Sequence, residues 1–260
     1  MIAQILGEGT PLIAIHGFGV DHRIMLPLDD DLANRGWQRI YLDLPWAEGA
    51  ADTGERTPRE LADAVLAEVR GTIGEAPFAV IGNSFGAMVA RHLAHALPAQ
   101  CLGLATLGGM FEPDRSRRIC PDRQAVVLDD EVLVRAGEAR ADFEEMAVVQ
   151  SEAALDAFLT SALPGLRGAD QRVMGRIAAK YTHAYSPEAG AAEPFDAPSL
   201  HVFGRQDHVV GFEDGLALRD HYTRGAFVVL DAAGHNVHLE QPAVVGALLR
   251  DWLDRTAVAR

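Results

Sequence analysis

The sequence predicts an α/β fold, a mostly parallel sheet flanked by helices, with a helical segment inserted into it. Three observations carry this. Short apolar runs bounded by Gly or Pro recur in the first and last parts of the chain. Amphipathic stretches at helical spacing lie between them. From about 112 to 195 the strand-like runs stop, and the chain turns rich in Arg, Asp, Glu and Ala.

The elements follow in order. The residues before the first clear run accommodate one strand at 2–6 and a turn at Gly7–Gly9. Runs at 11–16 (PLIAIH), 39–44 (RIYLDL), 77–82 (PFAVIG) and 101–108 (CLGLATLG) read as strands apolar on both faces, which suits a parallel sheet covered by helices. A helix is expected over 57–73, opened by Thr57, Pro58 and Glu60 in capping-box spacing, with Leu61, Val65, Leu66 and Val69 on one face. A second is expected over 84–97, ending at Pro98. In the insertion, helical runs fall near 138–149, 151–162 and 169–183, with Pro164-Gly165 separating the last two. The pattern then resumes with strand 199–204, a helix at 212–221, strand 226–230 and a closing helix at 242–254. The division is therefore 1–110 and 196–260 as core, and 111–195 as a helical lid.

The 260 residues, 28.0 kDa, fit one domain with an insertion and can bury a full core without disulfides or metals. Acidic residues number 37 against 23 basic ones, a net charge of −14. That balance argues against nucleic acid, which needs clustered Lys and Arg, and disfavours an anionic membrane. Cys101 and Cys120 cannot make a disulfide framework, and no Cys/His cluster suggests zinc. The N-terminus lacks a basic n-region and a cleavage site, and no apolar run is long enough to span a bilayer, so a cytoplasmic protein is expected. With no P-loop, HExxH or dinucleotide fingerprint, no cofactor is expected. The expected partner is a small-molecule substrate. Nothing in the sequence points to an oligomer interface.

The chemistry concentrates in four motifs. Gly82-Asn83-Ser84-Phe85-Gly86 lies between an expected strand and an expected helix, the context a nucleophile elbow requires. A lone Ser is a poor nucleophile, so it needs a base and the base an orienting acid. Asp207 follows strand 199–204 in Gly204-Arg205-Gln206-Asp207, and His235 follows the next strand in Gly234-His235. Both strand ends are expected on the sheet edge that presents Ser84. His235 is thus the candidate base and Asp207 its acid, with His238 and His208 as rivals. His16-Gly17-Phe18-Gly19 closes the first clear strand. Its Phe18 amide, with that of Phe85, can supply the two N–H donors that a tetrahedral oxyanion needs. Asp43, in LDLP at 42–45, reads as a structural acid.

In type, order and spacing these motifs resemble the α/β-hydrolase superfamily over nearly the whole chain. The resemblance implies a mostly parallel sheet, usually eight-stranded, with a helical cap over the site. Within the superfamily it resembles small bacterial esterases and the carbon–carbon bond hydrolases of aromatic-ring degradation. Ser84 argues against dehalogenases and epoxide hydrolases, which carry Asp at the elbow. Asn236 and Val237 after the histidine, and Gly86-Ala87 at the elbow, depart from the carbon–carbon group. The expectation is a serine hydrolase acting on an ester, thioester or lactone. Alternatives are cleavage of a ring-derived diketone by the same residues, and a binding or non-hydrolytic member of the fold. Lid candidates for substrate contact are Met146, Phe158, Met174, Tyr181, His183 and Tyr185. Arg115, Arg117 and Arg118 form a small basic cluster, expected to be a solvated surface.

Overall fold

In a computed structural model the described residues are 1–181 and 185–258. Seven strands form one sheet in the order β1-β3-β2-β4-β5-β6-β7. β1 (Ile2–Leu6) runs antiparallel to β3 (Trp37–Leu42), and β2 (Thr10–Ile15) lies parallel to both β3 and β4. Among the described residues one strand therefore precedes β2, and the sheet has seven strands where the resemblance implies eight. After β3 comes α1 (Pro58–Ile73), then β4 (Phe78–Asn83), α2 (Phe85–Ala96) and β5 (Cys101–Leu107).

The expected capping box opens α1 with a variation. Thr57 accepts the Glu60 N–H at 3.1 Å, while the Glu60 carboxylate reaches back to the Arg56 N–H at 2.8 Å, one residue earlier than the motif prescribes. Leu61, Val65 and Val69 turn inward from this helix. Strand alternation divides the core. Leu12 and Ala14 join one apolar cluster, and Ile13 and Ile15 join the other, on the opposite face. α1 and α2 cover the second face.

The inserted region differs from expectation in its breaks. It begins with α3 (Asp130–Ala136), capped by Asp129, which the sequence reading missed. Gly137, at φ +54°, ends α3, and α4 (Arg140–Met146) follows, so the helix expected at 138–149 is shorter. Val148 leaves it to accept the Val126 N–H. α5 (Glu152–Ala157) runs through a π-turn at Phe158–Ala162 into α6 (Leu163–Gly168). Pro164 and Gly165 therefore do not break the chain. The π-turn, with the Leu163 N–H bonded five residues back to Phe158, supplies room for the proline ring. The break falls at Ala169–Asp170, where Asp170 caps α7 (Gln171–Ala178), shorter than the expected 169–183.

β6 (Ser199–Gly204), β7 (Gly225–Leu230) and α8 (Pro242–Val258) complete the fold. The helix expected at 212–221 is two short turns, Glu213–Leu216 and Arg219–His221. α8 lays Val245, Leu249, Trp252 and Leu253 on the first face of the sheet. Among the described residues no helix is long and apolar enough to cross a membrane.

A buried ion pair ties α2 to the segment that returns to β6. Arg91, fully buried, donates to Glu188 at 2.7 Å and to the Met110 carbonyl at 2.6 Å, and lies over the Phe111 ring. The Tyr222 hydroxyl donates to the same carboxylate at 2.5 Å. Burial pushes Glu188 up, but the Arg91 charge and the Tyr222 hydroxyl outweigh it and bring the carboxyl down to about 2. Folded Glu188 is thus more acidic than unfolded Glu. Its stabilisation is full above the ordinary glutamate range and is lost as pH falls toward about 2. Glu188→Gln leaves a buried unpaired guanidinium and is expected to cost about 3 kcal/mol at neutral pH. Urea unfolding at pH 7 and pH 3 checks this, since the gap between variant and wild type narrows at the lower pH.

Candidate active site

The strand order reverses between β2 and β4: from β2 the chain goes to β3 on one side, then crosses back to β4 on the other. Crevices at the carboxyl ends of strands open at such a point. Here the loop after β2, residues 16–19, faces the turn after β4, which carries Ser84. That turn is tight. Ser84 sits at φ +53°, ψ −116°, a conformation L-residues rarely adopt. The approach of α2 to β4 and to the end of β2 leaves no room for side chains beside it. A Cβ on Gly82 would lie 2.3 Å from the Gly86 carbonyl oxygen, and one on Gly86 2.3 Å from that of Ile15. The Ser84 N–H donates to Leu107 at 3.0 Å, and its carbonyl accepts from Ala87 and Met110, both at 3.1 Å.

Ser84 is the N-cap of α2, yet its hydroxyl makes no capping bond. It donates instead to His235 Nε2 at 2.8 Å. His235 Nδ1 donates to Asp207 Oδ2 at 3.0 Å. An ionised carboxylate only accepts, so this contact assigns the Nδ1–H tautomer and leaves Nε2 as acceptor. Asp207 is fully buried, and its other oxygen accepts the Val209 and Val210 N–H groups at 2.9 and 3.0 Å. Three residues from three loops, after β4, β6 and β7, thus form one hydrogen-bonded row.

The rival residues lie elsewhere. His238 is buried with Nε2 donating to the Ile24 carbonyl at 2.9 Å, and burial pushes it down to about 4. His208 is half-buried, and burial lowers it too. Asp43 pairs with His22 at 3.0 Å. His16 braces the ends of two strands: its Nδ1 donates to the Gly17 carbonyl at 2.8 Å and its Nε2 accepts the Leu44 N–H at 2.9 Å.

Phe18 and Phe85 pack their rings together at 5.8 Å between centroids, and both pack on Trp46 and Tyr181. This aromatic cluster fixes the two backbone segments beside Ser84. Among the described residues neither the Phe18 nor the Phe85 amide donates to a protein acceptor. Both residues line a cavity of about 570 Å³ that Ser84 and His235 also line. Of the lid candidates, Met146, Phe158 and Tyr181 line it as well. Met174 packs toward Gly19, and Tyr185 is buried beside His92 with Arg59 over its ring. His183 lies outside the described residues. Among the described residues no group of three or more His, Cys, Asp or Glu side chains is placed to hold a metal.

A mostly parallel sheet, a strand–turn–helix at its carboxyl edge and a sequence profile matching residues 12–248 agree: the chain belongs to the alpha/beta hydrolase family and is a hydrolase. It is 26% identical to the Biotin biosynthesis bifunctional protein BioHC of Cellvibrio japonicus over 95% of this chain, and spans 48% of that protein's length. It is 29% identical to the 2-succinyl-6-hydroxy-2,4-cyclohexadiene-1-carboxylate synthase of Enterobacter sp., covering 93% of this chain and 91% of that one. An alpha/beta superfamily hydrolase from Oenococcus oeni superposes with a TM-score of 0.90 at 28% identity, covering 98% of this chain and 95% of the other.

Two features were missed in the sequence. Arg118 belongs to no solvated cluster: it is half-buried and lines the cavity, with its guanidinium held by backbone carbonyls. Glu240 is the other. Its carboxylate accepts the Gly234 N–H at 2.5 Å and those of Val148 and Val149 at 2.6 and 3.2 Å. It therefore joins the loop bearing His235 to the inserted segment after α4. The motif GHNVHLEQP contains it, but its partners in the insertion are 91 and 92 residues away. Burial pushes its carboxyl up against the pull of these three donors. Glu240→Ala leaves three N–H groups without their acceptor, and a loss of about 2–4 kcal/mol in urea unfolding is expected.

Proposed function

We propose that the chain is a serine hydrolase that cleaves an ester, thioester or lactone of a small organic substrate through an acyl-enzyme on Ser84. The observation that carries this reading is the Ser84 hydroxyl. It sits at a helix N-terminus without capping it, and meets the acceptor nitrogen of His235 at 2.8 Å.

The steps follow from that geometry. His235 Nε2 takes the Ser84 proton as Oγ attacks the substrate carbonyl. Asp207 holds the ring orientation and stabilises the imidazolium without itself being protonated. The carbonyl oxygen becomes an oxyanion between the Phe18 and Phe85 N–H groups, with the N-terminus of α2 favouring negative charge there. The tetrahedral intermediate collapses, and His235 passes its proton to the leaving alcohol or thiol. Water then attacks the acyl-enzyme, His235 takes one of its protons, and that proton returns to Ser84 as the acid leaves. The inserted helices serve as a lid, with Met146, Phe158 and Tyr181 shaping the space for the substrate. Carbon–carbon cleavage would use the same three groups on a different bond, and a ring-cleavage dienol offered to the same protein separates the two readings.

Hydrolysis of p-nitrophenyl esters of increasing chain length tests the proposal. Ser84→Ala and His235→Ala are expected to fall to background. Asp207→Asn should keep the fold yet lower kcat by about 10⁴, because the wrong tautomer then faces Ser84. Undiminished turnover by Ser84→Ala would sink it.

A further inference from the structure

The cavity beside Ser84 has two kinds of wall. Val20, Ile24, Phe158, Ala162 and Leu166 make part of it apolar. The stretch after β5 brings Asp114, Arg115 and Arg118 to another part.

Arg118 differs from its neighbours. Its Nε donates to the Glu112 carbonyl at 2.8 Å and its Nη1 to that of Val209 at 3.0 Å. Its Nη2 donates to the Pro113 carbonyl and to Met110 Sδ, both at 3.1 Å. Every one of these acceptors is neutral. Among the described residues no carboxylate forms an ion pair with this guanidinium. The nearby acids serve other groups: Glu112 pairs with Arg117 at 3.4 Å, and Asp114 accepts the Ser116 N–H and hydroxyl at 3.0 and 2.7 Å. Asp207 is engaged with His235 and two backbone amides. A guanidinium has five N–H donors, and these four contacts leave one on Nη1.

The hydrogen bonds fix Arg118 in place but do not cancel its charge. A half-buried cation with neutral partners favours an anion strongly, because the cavity wall screens less than water. The exposed Arg115 and the partly buried Asp114 stand on the same rim with opposite charges, so Arg118 supplies the net positive charge there. We propose that Arg118 gives this cavity a carboxylate-binding end. The substrate is then an ester, thioester or lactone whose acyl or alcohol part carries a carboxylate. One fixed guanidinium with one remaining donor matches a singly charged carboxylate. The proposal rests on Ser84 as the nucleophile.

Two series of esters test it: monomethyl esters of dicarboxylic acids with four to nine carbons, and methyl alkanoates of matching length. At the best length the half-ester is expected to show about tenfold higher kcat/KM, chiefly through KM. In Arg118→Gln the ratio of the two is expected to fall to near one. Alkanoates cleaved as well as half-esters at every length would overturn the proposal while leaving the esterase reading intact. Arg118 also anchors backbone, so a second measurement uses the wild type alone. Its Tm is followed with the dicarboxylic acids and with the matching diamides. A rise with the acids only supports the carboxylate end, whether or not any ester is cleaved. No rise, or an equal rise with the diamides, overturns it.

Discussion

The geometry at residues 82–86 is the constraint on which the site depends. A strand must turn into a helix within one residue, and that residue must point its side chain out of the sheet edge. Ser84 takes up the turn at φ +53°. Such a conformation costs on the order of 1–3 kcal/mol and persists only where the surroundings enforce it. Here they do. The backbone of Ser84 is bonded to Leu107, Ala87 and Met110, and β4 is fully buried. The same turn keeps the hydroxyl from capping α2, and so leaves it for His235.

The remaining parts are placed by the sheet. The reversal between β2 and β4 brings the 16–19 loop against the Ser84 turn, and the aromatic cluster of Phe18, Trp46, Phe85 and Tyr181 keeps them together. β6 and β7 end on the same edge and carry Asp207 and His235. The inserted helices are joined to this edge by polar anchors as well as by packing. Glu240 binds the His235 loop to Val148 and Val149, and Glu188 binds the returning segment to Arg91 on α2. A shift of the insertion would therefore be felt at both the His235 loop and α2.

The parts legible in the sequence are those whose causes are local. β4 and α2 follow from an apolar run, a G-x-S-x-G and helical periodicity within 84–97. Ser84, Asp207 and His235 were candidates because each follows a strand, and a parallel sheet brings such ends to one edge. What was not legible depends on distant partners. Nothing local to Arg91 signals the buried Glu188 it pairs with, and Arg118 reads as one of three solvated arginines until the Val209 carbonyl meets it. Pro164 is a fair signal for a break, but the π-turn before it removes the clash on which that signal relies.

The most direct test of the account is covalent labelling with a fluorophosphonate, read by peptide mass spectrometry. It reports an activated serine without requiring the substrate to be known. The account predicts one modified peptide carrying the label on Ser84, and a sharp fall in labelling in His235→Ala. A folded protein whose Ser84 stays unlabelled, or whose labelling is indifferent to His235, would contradict it.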